Sequence, residues 1–146
     1  MRCSSHAWLF DTQSRDANRG RGAEGGEGPD FESVLALETD CWDVHQAMQL
    51  PEPGFVLLDA RSPELFAAGD VPGAVNPPHR PINERSLAQY APGLLLVVYW
   101  AGPHGNGADR AAARIARLDR PVKKMIGGVE GWKDEGFSLV TGPQLR

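Results

Sequence analysis

The sequence predicts a three-layer α/β/α domain in which a parallel sheet lies between two layers of helices. Two apolar runs, residues 55–60 and 94–99, are typical of strands that are covered on both faces. Helical patterns separate the apolar runs, and strands that alternate with helices favour a parallel sheet. The 146 residues, 41% of them hydrophobic, suit one such domain.

The first 30 residues differ in composition from the rest of the chain. They contain no apolar segment of signal-peptide length, and five glycines are mixed with Arg and Glu between Gly20 and Gly28. We expect residues 1–30 to be a disordered extension, because this composition buries too little apolar surface to offset the loss of chain entropy. The folded domain is therefore predicted to span residues 31–146.

The first half of the domain is predicted to alternate strands and helices. Residues 34–38 indicate a short strand, and Thr39 or Asp40 can cap a helix that runs through Met48. The run at residues 55–60 is the next strand.

After that strand, Ser62 and Pro63 signal the start of a short helix, which Gly69 ends. Residues 74–77 are predicted to form an edge strand, because Pro77 and Pro78 cannot donate to a central ladder.

The second half continues the alternation with a loose helix at 82–90, a central strand at 94–99, a helix at 107–119, a strand at 122–126 and a short helix at 129–135. The spacing within the 107–119 helix places its apolar and basic residues on opposite faces. The apolar face carries Ala108, Ala112, Ile115 and Leu118, and the other carries Arg110, Arg114 and Arg117.

A glycine-rich loop lies between the central strand and the helix that follows it. Backbone amides in such a turn, joined to a helix N-terminus, form a concave anion-binding site that also lowers the pKa of a thiol. The predicted anion-binding residues are His104, Gly105, Asn106, Gly107, Ala108, Asp109 and Arg110.

Three motifs follow one another in the chain: LLDARSPELF at 57–66, GDVPGAVN at 69–76 and GGVEGW at 127–132. These motifs, in this order, resemble those of rhodanese-like domains. The resemblance covers residues 34–140 and implies a single α/β unit with a five-stranded, largely parallel sheet. It also implies a loop that cradles a catalytic cysteine thiolate.

The loop of this chain has no cysteine. If the nucleophile begins the six-residue segment GNGADR at 105–110, its position is held by Gly105; if it directly follows the strand, its position is held by Trp100. Neither residue can carry a persulfide. We therefore predict a catalytically silent rhodanese-like domain that acts as an anion-binding or regulatory interaction module.

The alternative prediction is a sulfurtransferase that uses a relocated thiol. Cys41 is the candidate within the domain, although its place on the first helix favours a packing role. His104 could serve as a nucleophile or general acid, but a lone histidine in a surface loop is ordinary. Asp59 and Arg61, at the end of a strand, are expected to fix loops through charge-assisted hydrogen bonds. A dual-specificity-type phosphatase ranks last because the chain lacks a Cys-x5-Arg loop.

Composition excludes several other classes. A net charge of −4, from 15 basic and 19 acidic residues, predicts no nucleic-acid partner, and the longest apolar run is too short to cross a membrane. The four histidines show no metal-ligand spacing, so we expect neither a metal nor a cofactor. The expected partners are a small anion (sulfate, phosphate or thiosulfate) or an unknown protein. Two cysteines fit a reducing cytoplasm.

Overall fold

A computed structural model describes residues 30–142 of the chain. Within these residues the strands are β1 (Glu38–Thr39), β2 (Phe55–Asp59), β3 (Leu95–Tyr99) and β4 (Val122–Met125). The α-helices are α1 (Phe31–Leu37), α2 (Cys41–Met48), α3 (Pro63–Ala68), α4 (Gly107–Arg117) and α5 (Gly128–Asp134), and a 3-10 turn spans Arg85–Leu87.

The four strands form one sheet in the order β1-β4-β3-β2, and every pair is parallel. The predicted parallel sheet and the position of β3 within it are therefore confirmed. All five residues of β3 are buried. The register pairs Asp59 with Tyr99, the last residues of β2 and β3.

Two separate hydrophobic cores cover the two faces of the sheet. Alternate residues of a strand point to opposite faces, so Leu95, Val97 and Tyr99 enter one core and Leu96 and Val98 enter the other. Helices α2 and α5 pack on the first core, and α4 packs on the second together with the 3-10 turn. This arrangement is the predicted three-layer α/β/α architecture.

The predicted strand at 34–38 is wrong, because most of this segment belongs to helix α1. The Asp30 carboxylate accepts a hydrogen bond from the Ser33 amide and so caps the helix, and only Glu38 and Thr39 pair with β4. A short apolar run does not by itself distinguish a strand from a helix.

The expectation of five strands is also wrong. Val75 forms a single parallel bridge with Leu58, in which its amide donates to Leu57 O at 2.8 Å and its carbonyl accepts from the Asp59 amide at 2.8 Å. Pro77 and Pro78 have no amide to donate, so pairing ends after this bridge.

The predicted helix at 82–90 is reduced to the 3-10 turn. The Asn83 side-chain oxygen accepts hydrogen bonds from the amides of Arg85 and Ser86. This local capping competes with longer helical hydrogen bonding, so only one short turn forms.

The predicted helix signals around β2 are confirmed. The Asp40 side chain accepts from the Asp43 amide at the start of α2, and Ser62 accepts from Leu65 at the start of α3, where Pro63 is the first residue. Gly69 ends α3. None of the helices between residues 30 and 142 combines the length and the hydropathy needed to cross a membrane.

Candidate functional site

The candidate site lies at the carboxyl ends of the central strands, where the predicted loop joins β3 to α4. The loop begins at Trp100 and is fixed at its start to α5. The Trp100 carbonyl accepts from the Val129 amide at 3.1 Å, and the Ala101 carbonyl accepts from the Glu130 amide at 2.9 Å. The first residues of α5 therefore hold the loop at the edge of the sheet.

The indole of Trp100 packs against two of the loop glycines. A Cβ built on Gly105 would lie within 3.0 Å of three atoms of the six-membered ring, and one built on Gly107 would lie within 3.0 Å of three atoms of the five-membered ring. Both glycines are therefore needed to make room for the indole. The structure brings together Trp100 and Gly105, the two candidate positions for the missing cysteine.

Beside the indole is a cavity of about 240 Å³. It lies between the loop and the end of β4, and its lining residues include Trp100, Gly102, Gly105, Asp109, Lys124 and Ile126.

The charges around this cavity are largely paired. Lys124 Nζ lies 2.8 Å from the Asp109 carboxylate and 3.2 Å from the Glu38 carboxylate. The hydrogen bond that Lys124 donates to Asp109, together with the hydrogen bond and charge of Glu38, raises the pKa of Lys124 despite its partial burial. One ammonium group thus faces two carboxylates, and Asp109 is engaged in an ion pair within the predicted anion-binding segment.

The remaining loop residues contribute mainly backbone groups to the site. His104, Asn106 and Arg110 are exposed, and Ala108 is a buried residue in the first turn of α4. Among residues 30–142, no hydrogen bond joins the amides of His104 and Gly105 to a backbone carbonyl. These amides are therefore able to donate hydrogen bonds to a ligand.

Asp59 and Arg61 form a buried ion pair behind the loop. The Arg61 guanidinium donates to both Asp59 carboxylate oxygens, at 2.7 to 3.1 Å, and to Gly69 O at 2.6 Å. Burial alone would lower the pKa of Arg61, but the hydrogen bond and charge of Asp59 raise it. The pair joins the end of β2 to the end of α3.

Sequence reasoning missed Tyr99 as a member of this network. Its hydroxyl donates to Asp59 Oδ2 at 2.7 Å and accepts from the Val71 amide at 3.2 Å. Burial, followed by the charge of Asp59, raises the pKa of Tyr99, so the phenol stays protonated. One signal was available in the sequence: β2 and β3 have the same length, and the last residue of each, Asp59 or Tyr99, carries a polar group.

Cys41 is buried in the first core, which also contains Tyr99, and it is not among the residues that line the cavity. Its thiol lies 3.5 Å from Ile126 O and 3.6 Å from Gly128 O. Burial, followed by the charges of Asp40, Glu135 and Asp134, raises the pKa of Cys41 to about 12. The thiol is therefore protonated at neutral pH and is a poor nucleophile.

Across residues 30–142, no three His, Cys, Asp or Glu side chains are grouped so that they could hold a metal ion. The site consists instead of an indole, loop amides and paired charges.

Fold and site together define an α/β domain in which a central parallel strand leads through a glycine-rich loop into a helix. The rhodanese-like domain family model matches residues 43–135, which is more than half of the chain. The chain belongs to the rhodanese-like domain family.

Two curated relatives of different kinds are similar to this chain in sequence. The thiosulfate sulfurtransferase GlpE of Pseudomonas aeruginosa strain LESB58 is 34% identical over 96 residues, covering 60% of this chain and 78% of the relative. The HTH-type transcriptional regulator Rv0324 of Mycobacterium tuberculosis is 32% identical over 111 residues, covering 75% of this chain. The chain spans about half of that regulator, 48% of its length.

A solved structure gives the same fold. The BH2092 protein of Bacillus halodurans matches with a TM-score of 0.72 and 31% sequence identity, covering 76% of this chain and 81% of that protein.

Proposed function

We propose that this protein is a rhodanese-like domain that does not transfer sulfur and acts as a binding or regulatory module. The observation that carries the proposal is the packing of Trp100 against Gly105 and Gly107. The indole fills the space beside Gly105 and Gly107, and neither candidate position has a sulfur atom.

The state of Cys41 supports the same proposal. A relocated nucleophile would need access to the loop and a thiolate at neutral pH. Cys41 is 5% exposed, and the pKa of its thiol is raised to about 12. It meets neither requirement.

Two forms of binding are consistent with the geometry. The amides of His104 and Gly105 support weak binding of sulfate, phosphate or thiosulfate, because unpaired amides near a helix N-terminus attract anions. The similarity to a transcriptional regulator supports a regulatory role through a protein partner. Sulfate titration followed by amide NMR distinguishes the two forms. Shifts confined to residues 104–108 support the anion site, whereas unmoved amides favour binding of a protein partner.

Similarity to GlpE favours a second candidate, a thiosulfate sulfurtransferase. Cyanide-dependent thiocyanate formation from thiosulfate tests both candidates. We expect the rate with purified full-length protein to equal the rate without protein. Turnover above that background that is lost in Cys41→Ser would overturn the proposal and establish the relocated thiol.

A further inference from the structure

The exposed face of α4 carries three arginines that the site beneath the loop does not use. At 100° per residue, Arg110, Arg114 and Arg117 lie within an arc of about 60° and extend about 10 Å along the helix axis. All three are exposed. They form a continuous ridge, here called the arginine ridge, on the outside of the domain.

The charges of the arginine ridge are not neutralised within the described domain. The ion pairs among residues 30–142 involve Arg61, Lys124 and Lys133, and none involves a ridge arginine. The one acidic residue of α4, Asp109, is paired with Lys124. Three guanidinium groups therefore remain available to an external partner.

The ridge also contrasts with the opposite helical layer. Helices α2 and α5 carry Asp43, Glu130 and Asp134, and their one lysine, Lys133, is paired with Glu130. Three exposed arginines that form no ion pair among the described residues thus lie on one helix of a chain whose net charge is −4. Charge complementarity of this kind selects an acidic partner and its orientation.

We propose that the arginine ridge docks an acidic α-helix of a partner protein. Carboxylates three and four residues apart on a helix repeat at the same rise as the three arginines, and guanidinium groups bind carboxylates in a bidentate geometry. The exposed neighbour on this face, Ala113, is small, so it allows a helix to approach closely. This proposal does not depend on what the loop binds.

The ends of the ridge favour a short protein segment over a nucleic acid. Asp109 lies at one end and Asp119 just beyond the other. A DNA duplex carries one charge per about 1.7 Å along its axis and would extend past both ends. The ridge, about 10 Å long, therefore matches a helix with three acidic residues better than it matches a duplex.

The probe is a fluorescein-labelled, alanine-rich helical peptide. It has glutamates at positions 1, 4 and 8, which lie on one face of the helix. A control peptide of the same composition has its glutamates distributed around the helix. Anisotropy at about 50 mM salt measures binding to the full-length protein, and amide NMR locates it. We expect the patterned peptide alone to bind, with shifts on α4, and the binding to weaken strongly at about 300 mM salt.

Two variants that each remove one exposed arginine provide the matched comparison. Arg114→Gln lies at the centre of the ridge, and Arg85→Gln lies on the 3-10 turn outside it. We expect Arg114→Gln to weaken binding by about five- to tenfold and Arg85→Gln by less than about twofold. Circular dichroism confirms that both variants are folded.

Several results would overturn the proposal. These are no binding at about 1 mM peptide, equal binding of the two peptides, and equal weakening by the two variants. A 12-base-pair DNA duplex that binds more tightly than the peptide, and loses its affinity in Arg114→Gln, would reassign the ridge to nucleic acid.

Discussion

The hydroxyl of Tyr99 donates a hydrogen bond of 2.7 Å to the Asp59 carboxylate and accepts one of 3.2 Å from the amide of Val71. The parallel register places Asp59 beside Tyr99 at the ends of neighbouring strands. Arg61 supplies the counter-charge from the other side of the carboxylate. The three side chains form a buried polar network that joins the ends of β2, β3 and α3 to the segment at Val71. This network is present although the loop has no cysteine.

We expect Tyr99→Phe to destabilise the protein by about 1 to 3 kcal/mol. The change leaves the buried Asp59 carboxylate without one donor and the Val71 amide without its acceptor, and each unpaired buried group carries a desolvation cost. Urea denaturation followed by circular dichroism measures the loss.

Tyr90→Phe is the matched control. The Tyr90 hydroxyl accepts from Gln89 at 2.8 Å in an exposed pair, so its removal should cost less than about 0.5 kcal/mol. Equal losses in the two variants would show that the buried network does not contribute specifically to stability.

A second prediction concerns the packing of the indole. Gly105→Ala should destabilise the protein by about 1 to 3 kcal/mol, because its methyl group would overlap the Trp100 ring. In a Trp100→Ala background the same substitution should cost much less.

A double-mutant cycle by urea denaturation tests this coupling, which we expect to be roughly 0.5 to 3 kcal/mol. Gly93→Ala is the control, since a Cβ there meets nothing within 4 Å. If Gly105→Ala costs the same with and without the indole, the ring does not pack where the structure places it.

The sequence predicted the elements whose patterns are unambiguous. Strands β2 and β3 follow from long apolar runs, and the start of α3 follows from Ser62 and Pro63. Helix α1 was predicted as a strand because its apolar residues form too short a run to reveal a period.

The geometry of the site was harder to predict from the sequence. The absence of a loop cysteine was visible, but the placement of the Trp100 ring depends on a side-chain rotamer and on two glycines that follow it by five and seven residues. The link between Tyr99 and Asp59 depends on the register of strands 40 residues apart. Such long-range geometry leaves only a weak signal in one sequence.

A third prediction concerns Cys41. Because its pKa is raised to about 12, iodoacetamide at pH 8 should alkylate it much more slowly in the folded protein than in urea. Mass spectrometry of tryptic peptides measures the two rates. Comparable rates would show that the thiol is accessible and ionised, which would reopen the relocated-thiol mechanism.

The same thiol should make stability depend on pH. The unfolded thiol has a pKa near 8.5, so above this pH the unfolded state loses a proton that the folded state keeps up to about pH 12. Stability should therefore fall as pH rises from about 9. Between pH 9 and 10.5, Cys41→Ala should show a shallower decline in urea stability than the wild type, and equal slopes would contradict the raised pKa.

The last prediction asks which loop position can accept a functional thiol. Gly105 is not among the described glycines with a positive φ, so its backbone conformation does not prohibit a side chain. The obstacle is the indole, which leaves no room for a Cβ. Gly105→Cys alone should therefore perturb the loop, whereas Trp100→Cys removes the indole and places a thiol directly after β3.

In Trp100→Cys the thiol would lie beside the loop amides and the N-terminus of α4, an environment that lowers a cysteine pKa from about 8.5 to roughly 3.5 to 7.5. The variant is made in a Cys3→Ser, Cys41→Ala background so that one thiol remains. The pH dependence of its reaction with iodoacetamide gives the pKa, and thiocyanate formation reports sulfur transfer. A depressed pKa with measurable turnover is the expected result, because the surrounding loop would then stabilise both thiolate and persulfide. If this variant is folded and its thiol titrates at about 8.5 or above, the loop does not stabilise a negative charge, and the proposed anion site at residues 104–108 fails with it.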